Sequence, residues 1–194
     1  MPNKLFFGVQ VAINEAAKDG LRAELHNRMT VNKSEVTPEE KKAYYRNISS
    51  VILENMFAAE YGFWDYYEND DAIDEFDSWQ NDLESGTALE NSELGDENDA
   101  ELRADSSKDY IVVTIAVLAD ESSRNQAFYD QIASIKEDEY FDRASFVKII
   151  DALRLLDFNR VERDMVFLIP GNDQDGLSWF DIHSEGWNYL KPIL

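Results

Sequence analysis

The chain has 194 residues, with 40 acidic side chains against 18 lysines and arginines, a net charge of −22 at pH 7 and no cysteine. The missing thiol excludes disulfides, thiolate catalysis and zinc sites built on thiolates. The charge repels nucleic acid phosphates and anionic lipid, so direct DNA or RNA binding is not expected. A hydrophobic share of 44% with 12% aromatic residues is enough to fill a core, which excludes a wholly disordered chain.

In chain order, Leu5, Phe7, Val9, Val11 and Ile13 alternate with Phe6, Gly8, Gln10 and Ala12, the period of two that marks a strand. The period then lengthens. Ile13, Ala17, Leu21, Leu25 and Met29 recur every fourth residue, predicting a helix. Thr37-Pro38-Glu39-Glu40 has an N-cap hydroxyl, a proline at the first helical position and the glutamate of a capping box. Behind it Tyr44, Tyr45, Ile48, Val51, Ile52 and Met56 form an apolar face, and Gly62 is expected to interrupt the helix.

Between Phe63 and Asp105 lie sixteen carboxylates and a single base, Arg103, so most of the net charge sits in this block. From Phe63 to Leu83, apolar Phe63, Tyr66, Tyr67, Ile73, Phe76, Trp79 and Leu83 are interleaved with acids, predicting one acidic amphipathic helix or two short ones. From Glu84 to Ser107 the aromatics vanish and Gly, Ser, Asn, Asp and Glu dominate, which predicts a long loop.

Tyr110 to Ala119 is continuously apolar and rich in β-branched residues, the mark of a central strand covered on both faces. This longest apolar run is about half of the roughly 20 residues that a membrane helix needs, so a soluble, cytoplasmic protein with no membrane segment is expected. Ser122 or Ser123 is expected to cap a helix through Phe128, Ile132 and Ile135. A further helix is predicted from about Asp142 through Phe146, Ile149, Ile150, Leu153 and Leu156, and a strand from Met165 to Ile169 stopped by Pro170. A short helix beginning at Ser178 precedes the closing Lys191-Pro192-Ile193-Leu194.

These elements predict an α+β fold, a small sheet of about three strands packed with several helices, in the order β-α-α-(acidic insert)-β-α-α-β-α. The whole chain, residues 1–194, reads as one domain carrying an acidic insertion at about 63–107, of which 84–107 is loop-like. No internal repeat shows in the sequence.

The motifs that suggest chemistry have plainer explanations. Ser178, Asp181 and His183 suggest a hydrolase, but a nucleophile elbow needs glycine on both sides of the serine and only Gly176 is present. Ser178 and Asp181 fit a capping box. Asn172 to Gly176 resembles part of a calcium loop, yet Ile182 stands where the bidentate glutamate belongs, so the stretch reads as a turn. Asp70, Asp71, Asp74, Glu75 and Asp77 share a helical face without an evident cage of about six oxygens, so no metal site is expected. His26 and His183 are too isolated for an acid–base or metal pair. Nucleotide-binding glycine motifs are absent. Arg154, Arg160 and Arg163 form a modest basic cluster, suited either to neutralising acids within the fold or to holding an anion.

Three stretches resemble an uncharacterised cyanobacterial and plastid family, domain of unknown function 1517. Val9 to Ile13 leading into Leu21-Arg22-Ala23-Glu24-Leu25 is similar to its first strand and helix, and Tyr110 to Val117 to its central strand. Val166 to Pro170, Leu177-Ser178 and Tyr189 to Leu194 are similar to its closing strand and tail. The family usually has a tryptophan where Leu168 stands, and the stretch from about Phe63 to Ser107 is unmatched. The resemblance implies a compact α+β domain of photosynthetic lineage and brings no catalytic residue or cofactor.

The functional expectation is therefore a non-enzymatic protein-binding or adaptor domain. Its partner-binding candidates are Trp64, Tyr66, Tyr67, Asp70, Asp71, Asp74, Phe76 and Trp79, with aromatics as anchors and acids steering a protein with a basic surface. No catalytic or cofactor-binding residue is assigned. The alternatives are a nucleic-acid mimic that inhibits a DNA-binding protein, and an enzyme whose site the sequence does not reveal.

Overall fold

The computed structural model describes residues 3–15, 20–29, 37–93, 109–122, 124–170, 176–184 and 186–194, with side chains left out over 86–93. Five strands form one antiparallel sheet: β1 (Lys4–Asn14), β2 (Ala59–Glu68), β3 (Tyr110–Asp120), β4 (Val161–Ile169) and the two-residue β5 (Lys191–Pro192), in the spatial order β4-β3-β1-β2-β5. Six α-helices lie among the described residues: α1 (Leu21–Met29), α2 (Pro38–Glu54), α3 (Asp70–Glu93), α4 (Gln126–Ala133), α5 (Arg143–Ala152) and α6 (Trp179–His183).

The middle of the sheet is the pair β1–β3, matched residue for residue from Lys4↔Asp120 to Asn14↔Tyr110. Antiparallel sheets often leave one face wet, but here both are covered. Leu5, Phe7, Val9, Val11 and Ile13 of β1 and Ile111, Val113, Ile115 and Val117 of β3 enter the main core under α1, α2, α4 and α5. The alternate residues, Phe6 and Ala12 with Val112, Ala116 and Leu118, pack beneath α3, α6 and the C-terminal stretch. That is why β3 reads as a continuous apolar run and why Phe6 and Ala12 of β1 are apolar on its second face as well.

The connectivity repeats although the sequence does not. β1-α1-α2-β2 and β3-α4-α5-β4 are each a strand, two helices and an outer strand, their inner strands meet at the sheet centre, and both helix pairs share one core. α3 links the two units and covers the other face. The Thr37 capping box is formed, with Glu40 N donating to Thr37 Oγ1 at 3.3 Å and Thr37 N donating to the Glu40 carboxylate at 2.8 Å. At the far end, β5 pairs with Tyr61 and Gly62, Ile193 N donates to Glu60 O at 2.8 Å and Arg143 N donates to Leu194 O at 2.9 Å, so the last residues bind β2 to α5.

Several expectations are corrected. The sheet has five strands, not about three, and the order is β-α-α-β-α-β-α-α-β-α-β. The missed strand β2 lies where Phe63 onward is expected to be helical. Its aromatics alternate between both faces, Phe63 and Tyr67 to one and Trp64 and Tyr66 to the other, so no two-residue period shows. Asn69, at φ 62°, makes the turn into α3, a left-handed conformation that asparagine tolerates. α3 then runs to Glu93, through the first part of the expected loop; residues 94–107 lie outside the described ones. α2 stops at Glu54, before Gly62, which sits inside β2. Ser122 accepts from Asn125 N instead of capping α4, and Ser123 and Ala17 lie outside the described residues.

Gly62 is a packing requirement. A Cβ there would come within 2.5 Å of the Phe146 ring and 3.0 Å of Gln10 O. Gly62→Ala is expected to lower stability by about 1–3 kcal/mol, measured by urea unfolding, with part of the loss recovered when Phe146→Leu is added. A Gly62→Ala protein as stable as wild type would show that the ring gives way freely.

Candidate functional site

α3 is built from a stripe and a face. Ala72, Phe76 and Leu83 are buried and Trp79 half-buried, steps of four, three and four residues that keep one side of the helix on the sheet. Phe76 is 2% exposed. It and Trp79 meet Phe6 of β1 edge-on at 6.2 and 5.4 Å, and Tyr67 meets the same ring at 6.3 Å. Trp79 also lies over Gly8, where a Cβ would come within 2.8 Å of the indole. Arg163 of β4 clamps the helix from the side. Its guanidinium lies 4.3 Å from the Phe76 ring centre and donates to Asp77 and Gln80, each at 2.6 Å. Of the basic cluster, Arg163 thus neutralises an acid within the fold, while Arg154 pairs with Asp151 at 3.0 Å.

Asp70, Asp71, Asp74 and Asp82 point outward and are exposed. Among the described residues no basic side chain pairs with any of them. The aromatics hold the helix down and leave these acids facing solvent at fixed spacing.

The eight candidates do not form one surface. Tyr67, Asp70, Asp71, Asp74, Phe76 and Trp79 lie on the α3 side of the sheet. Trp64 and Tyr66 lie on the other, where they pack against the main core. There Trp64 Nε1 donates to Tyr140 O at 2.9 Å and Tyr66 Oη donates to Glu68 at 2.7 Å. The strand between them imposes the split, because successive residues of β2 face opposite ways.

Two carboxyls beneath the acidic face are perturbed. Burial pushes Asp65 up, against hydrogen bonds from Tyr66 N and the Tyr67 side chain that act the other way. Burial also raises Glu75, against a hydrogen bond from Trp79 Nε1 at 2.9 Å and with added repulsion from Asp65 and Asp82. The Asp65 charge is in turn the largest cause of the raised Tyr67 phenol.

The motif residues of the C-terminal stretch are occupied with structure. Ser178 and Asp181 close a capping box, with Asp181 N donating to Ser178 Oγ at 3.2 Å and Ser178 N donating to Asp181 Oδ2 at 2.7 Å. His183 lies against Trp179 and Tyr61, with Nδ1 2.8 Å from Trp179 O. Among the described residues no three His, Asp or Glu side chains are placed to hold a metal ion, and the stretch Asn172 to Asp175 lies outside them.

The sequence reading missed an aromatic patch on α6 and the segment after it. Trp179 is 49% exposed, Phe180 73% and Tyr189 37%. In a helix of five residues only Ile182 turns into the core, so no periodicity separates an outward aromatic from an inward one. No protein-family model, curated protein or solved structure matches the chain.

A carboxyl whose folded pKa lies above its unfolded value binds its proton more tightly when folded. The cost of ionising Asp65 and Glu75 is therefore complete at neutral pH and is relieved as pH falls through their raised values. Glu40 and Glu139, held low by hydrogen bonds from Thr37 and Lys136, act in the opposite sense, but only at lower pH. The urea midpoint is expected to rise from pH 7 to about pH 5. Asp65→Asn with Glu75→Gln should flatten that rise, and a slope unchanged in the double variant would assign it to other groups.

Proposed function

We propose that this chain is a non-enzymatic protein-binding domain that engages a basic surface of another protein through the outer face of α3. One observation carries the reading: Asp70, Asp71, Asp74 and Asp82 stand exposed on a helix held by Phe76, Trp79, Leu83 and Arg163, with no basic side chain pairing with them among the described residues. Unpaired acids of one sign on a fixed surface raise a field that steers a cationic partner and sets the register of docking. Phe76 serves as an anchor of the helix, and the contact surface is made by the acids with the half-buried Tyr67 and Trp79 at their edge.

A narrower form of the same reading is mimicry of nucleic acid. Carboxylates four residues apart on a helix, as Asp70 and Asp74 are, sit about 6 Å apart along its axis, a spacing of the order of that between backbone phosphates. No helix among the described residues is long and apolar enough to cross a membrane, and the reading places the domain in the cytoplasm, in keeping with a chain free of cysteine. The resemblance to family 1517 brings no site residue, so the proposal rests on this chain's own geometry.

The test is capture of partners at low and high salt by wild type and by the variant Asp70→Asn, Asp71→Asn, Asp74→Asn. A partner lost at high salt and lost by the variant, whose thermal midpoint stays unchanged, supports the reading. Retention of every partner by the variant overturns it. Competition of the captured complex by duplex DNA would favour the mimic.

A further inference from the structure

The aromatic patch missed in the sequence is linked to the acidic helix through the strand β2. Trp179 stacks on His183 at 3.9 Å and 23°, and His183 meets the edge of Tyr61 at 5.0 Å. Two residues further along the same face of β2, Phe63 receives Tyr189 edge-on at 5.6 Å and stacks with Trp79 of α3 at 6.2 Å. Both chains of rings are therefore rooted on neighbouring positions of a single strand. Tyr189 has its hydroxyl end turned toward the buried Gln10 and lies near enough to Asp82 for that charge to act on the phenol. The rings of the C-terminal segment and the acidic helix thus meet at Phe63, which touches both Tyr189 and Trp79.

Isolated exposed apolar side chains are ordinary on any surface. Trp179 and Phe180 differ because they are adjacent, in edge contact at 5.4 Å, and Trp179 is braced from behind by His183 and Tyr61. A braced aromatic loses little side-chain freedom on binding, the property of an interface anchor. The charge around the patch decides what it fits. A second copy of a chain carrying −22, or an anionic lipid surface, is repelled. A guanidinium gains more at such a surface than an ammonium, because its planar fork stacks on aromatic faces while pairing with carboxylates, whereas lysine brings a compact, strongly hydrated charge.

We propose that Trp179, Phe180 and Tyr189, together with the outward acids of α3, form a docking surface for an arginine-bearing segment of a partner protein. The inference rests on the basic-partner reading above and adds the arginine preference and a second contact area on α6.

Nonaarginine and nonalysine peptides, titrated by calorimetry at equal ionic strength, test it. Wild type is expected to bind nonaarginine more tightly than nonalysine. Trp179→Ala with Phe180→Ala, which removes one exposed ring and one half-covered by His183, should weaken nonaarginine about tenfold and nonalysine much less, with the urea midpoint checking that the fold is kept. The variant Asp70→Asn, Asp71→Asn, Asp74→Asn should weaken both peptides. Equal binding of the two peptides by wild type, with no effect of the aromatic variant, overturns this proposal while leaving the acidic-face reading in place. Failure of both variants to weaken either peptide overturns both readings. Concentration-dependent dimerisation abolished by the aromatic variant, or binding to neutral phosphatidylcholine vesicles, would assign the patch to a second copy or to a membrane and also overturns the proposal.

Discussion

Everything in this molecule hangs on the pairing of β1 with β3 under cover on both sides. The register runs unbroken over eleven residues, so odd-numbered positions of both strands supply one core and even-numbered positions the other. A slip of β1 by one residue against β3 would exchange the two faces of β1 and send Phe7 beneath α3 in place of Phe6. The helical layer and the α3 layer are different in shape, one built from four helices and the other mainly from a single long one. Each therefore depends on the register being right.

The second consequence is electrostatic. α3 has an acidic outer face, and helix propensity alone would not hold such a face against a sheet. Phe76, Trp79 and Leu83 supply the apolar burial that does so, and Arg163 adds a cation where the helix passes the edge strand. Asp65 and Glu75 show the opposing cost: both carboxyls are partly removed from water and both resist ionising. Burial wins over repulsion because the rings go inward and most of the charge stays outward.

Much of the frame was legible. The alternation of Leu5 to Ile13, the apolar run of Tyr110 to Ala119, and the capping boxes at Thr37 and Ser178 are local signals, and each stands where its chemistry required. The acidic stretch was not legible because its cues conflict. Trp64 and Tyr66 face the helix layer while Phe63 and Tyr67 face α3, so β2 has aromatics on both sides and charge at its end. Only the pairing of Tyr66 with Phe7 and Trp64 with Val9, more than fifty residues away in the chain, decides that it is a strand. Of the candidate surface, the acids of α3 were visible as a helical face. The split of the aromatics and the exposure of Trp179 and Phe180 depend on tertiary neighbours that no local period records.

The repeated connectivity has a different implication. β1-α1-α2-β2 and β3-α4-α5-β4 meet through their inner strands and a shared helical layer, contacts that would fit equally well if supplied by two molecules, and α3 lies on the path from one unit to the other. The acidic helix is thus also a tether whose length decides whether the halves close on each other within one chain. Shortened enough, the same contacts would be satisfied by exchange between two chains, giving an intertwined dimer with two α3 faces. The valency of the acidic surface is in that sense set by the length of the piece that displays it.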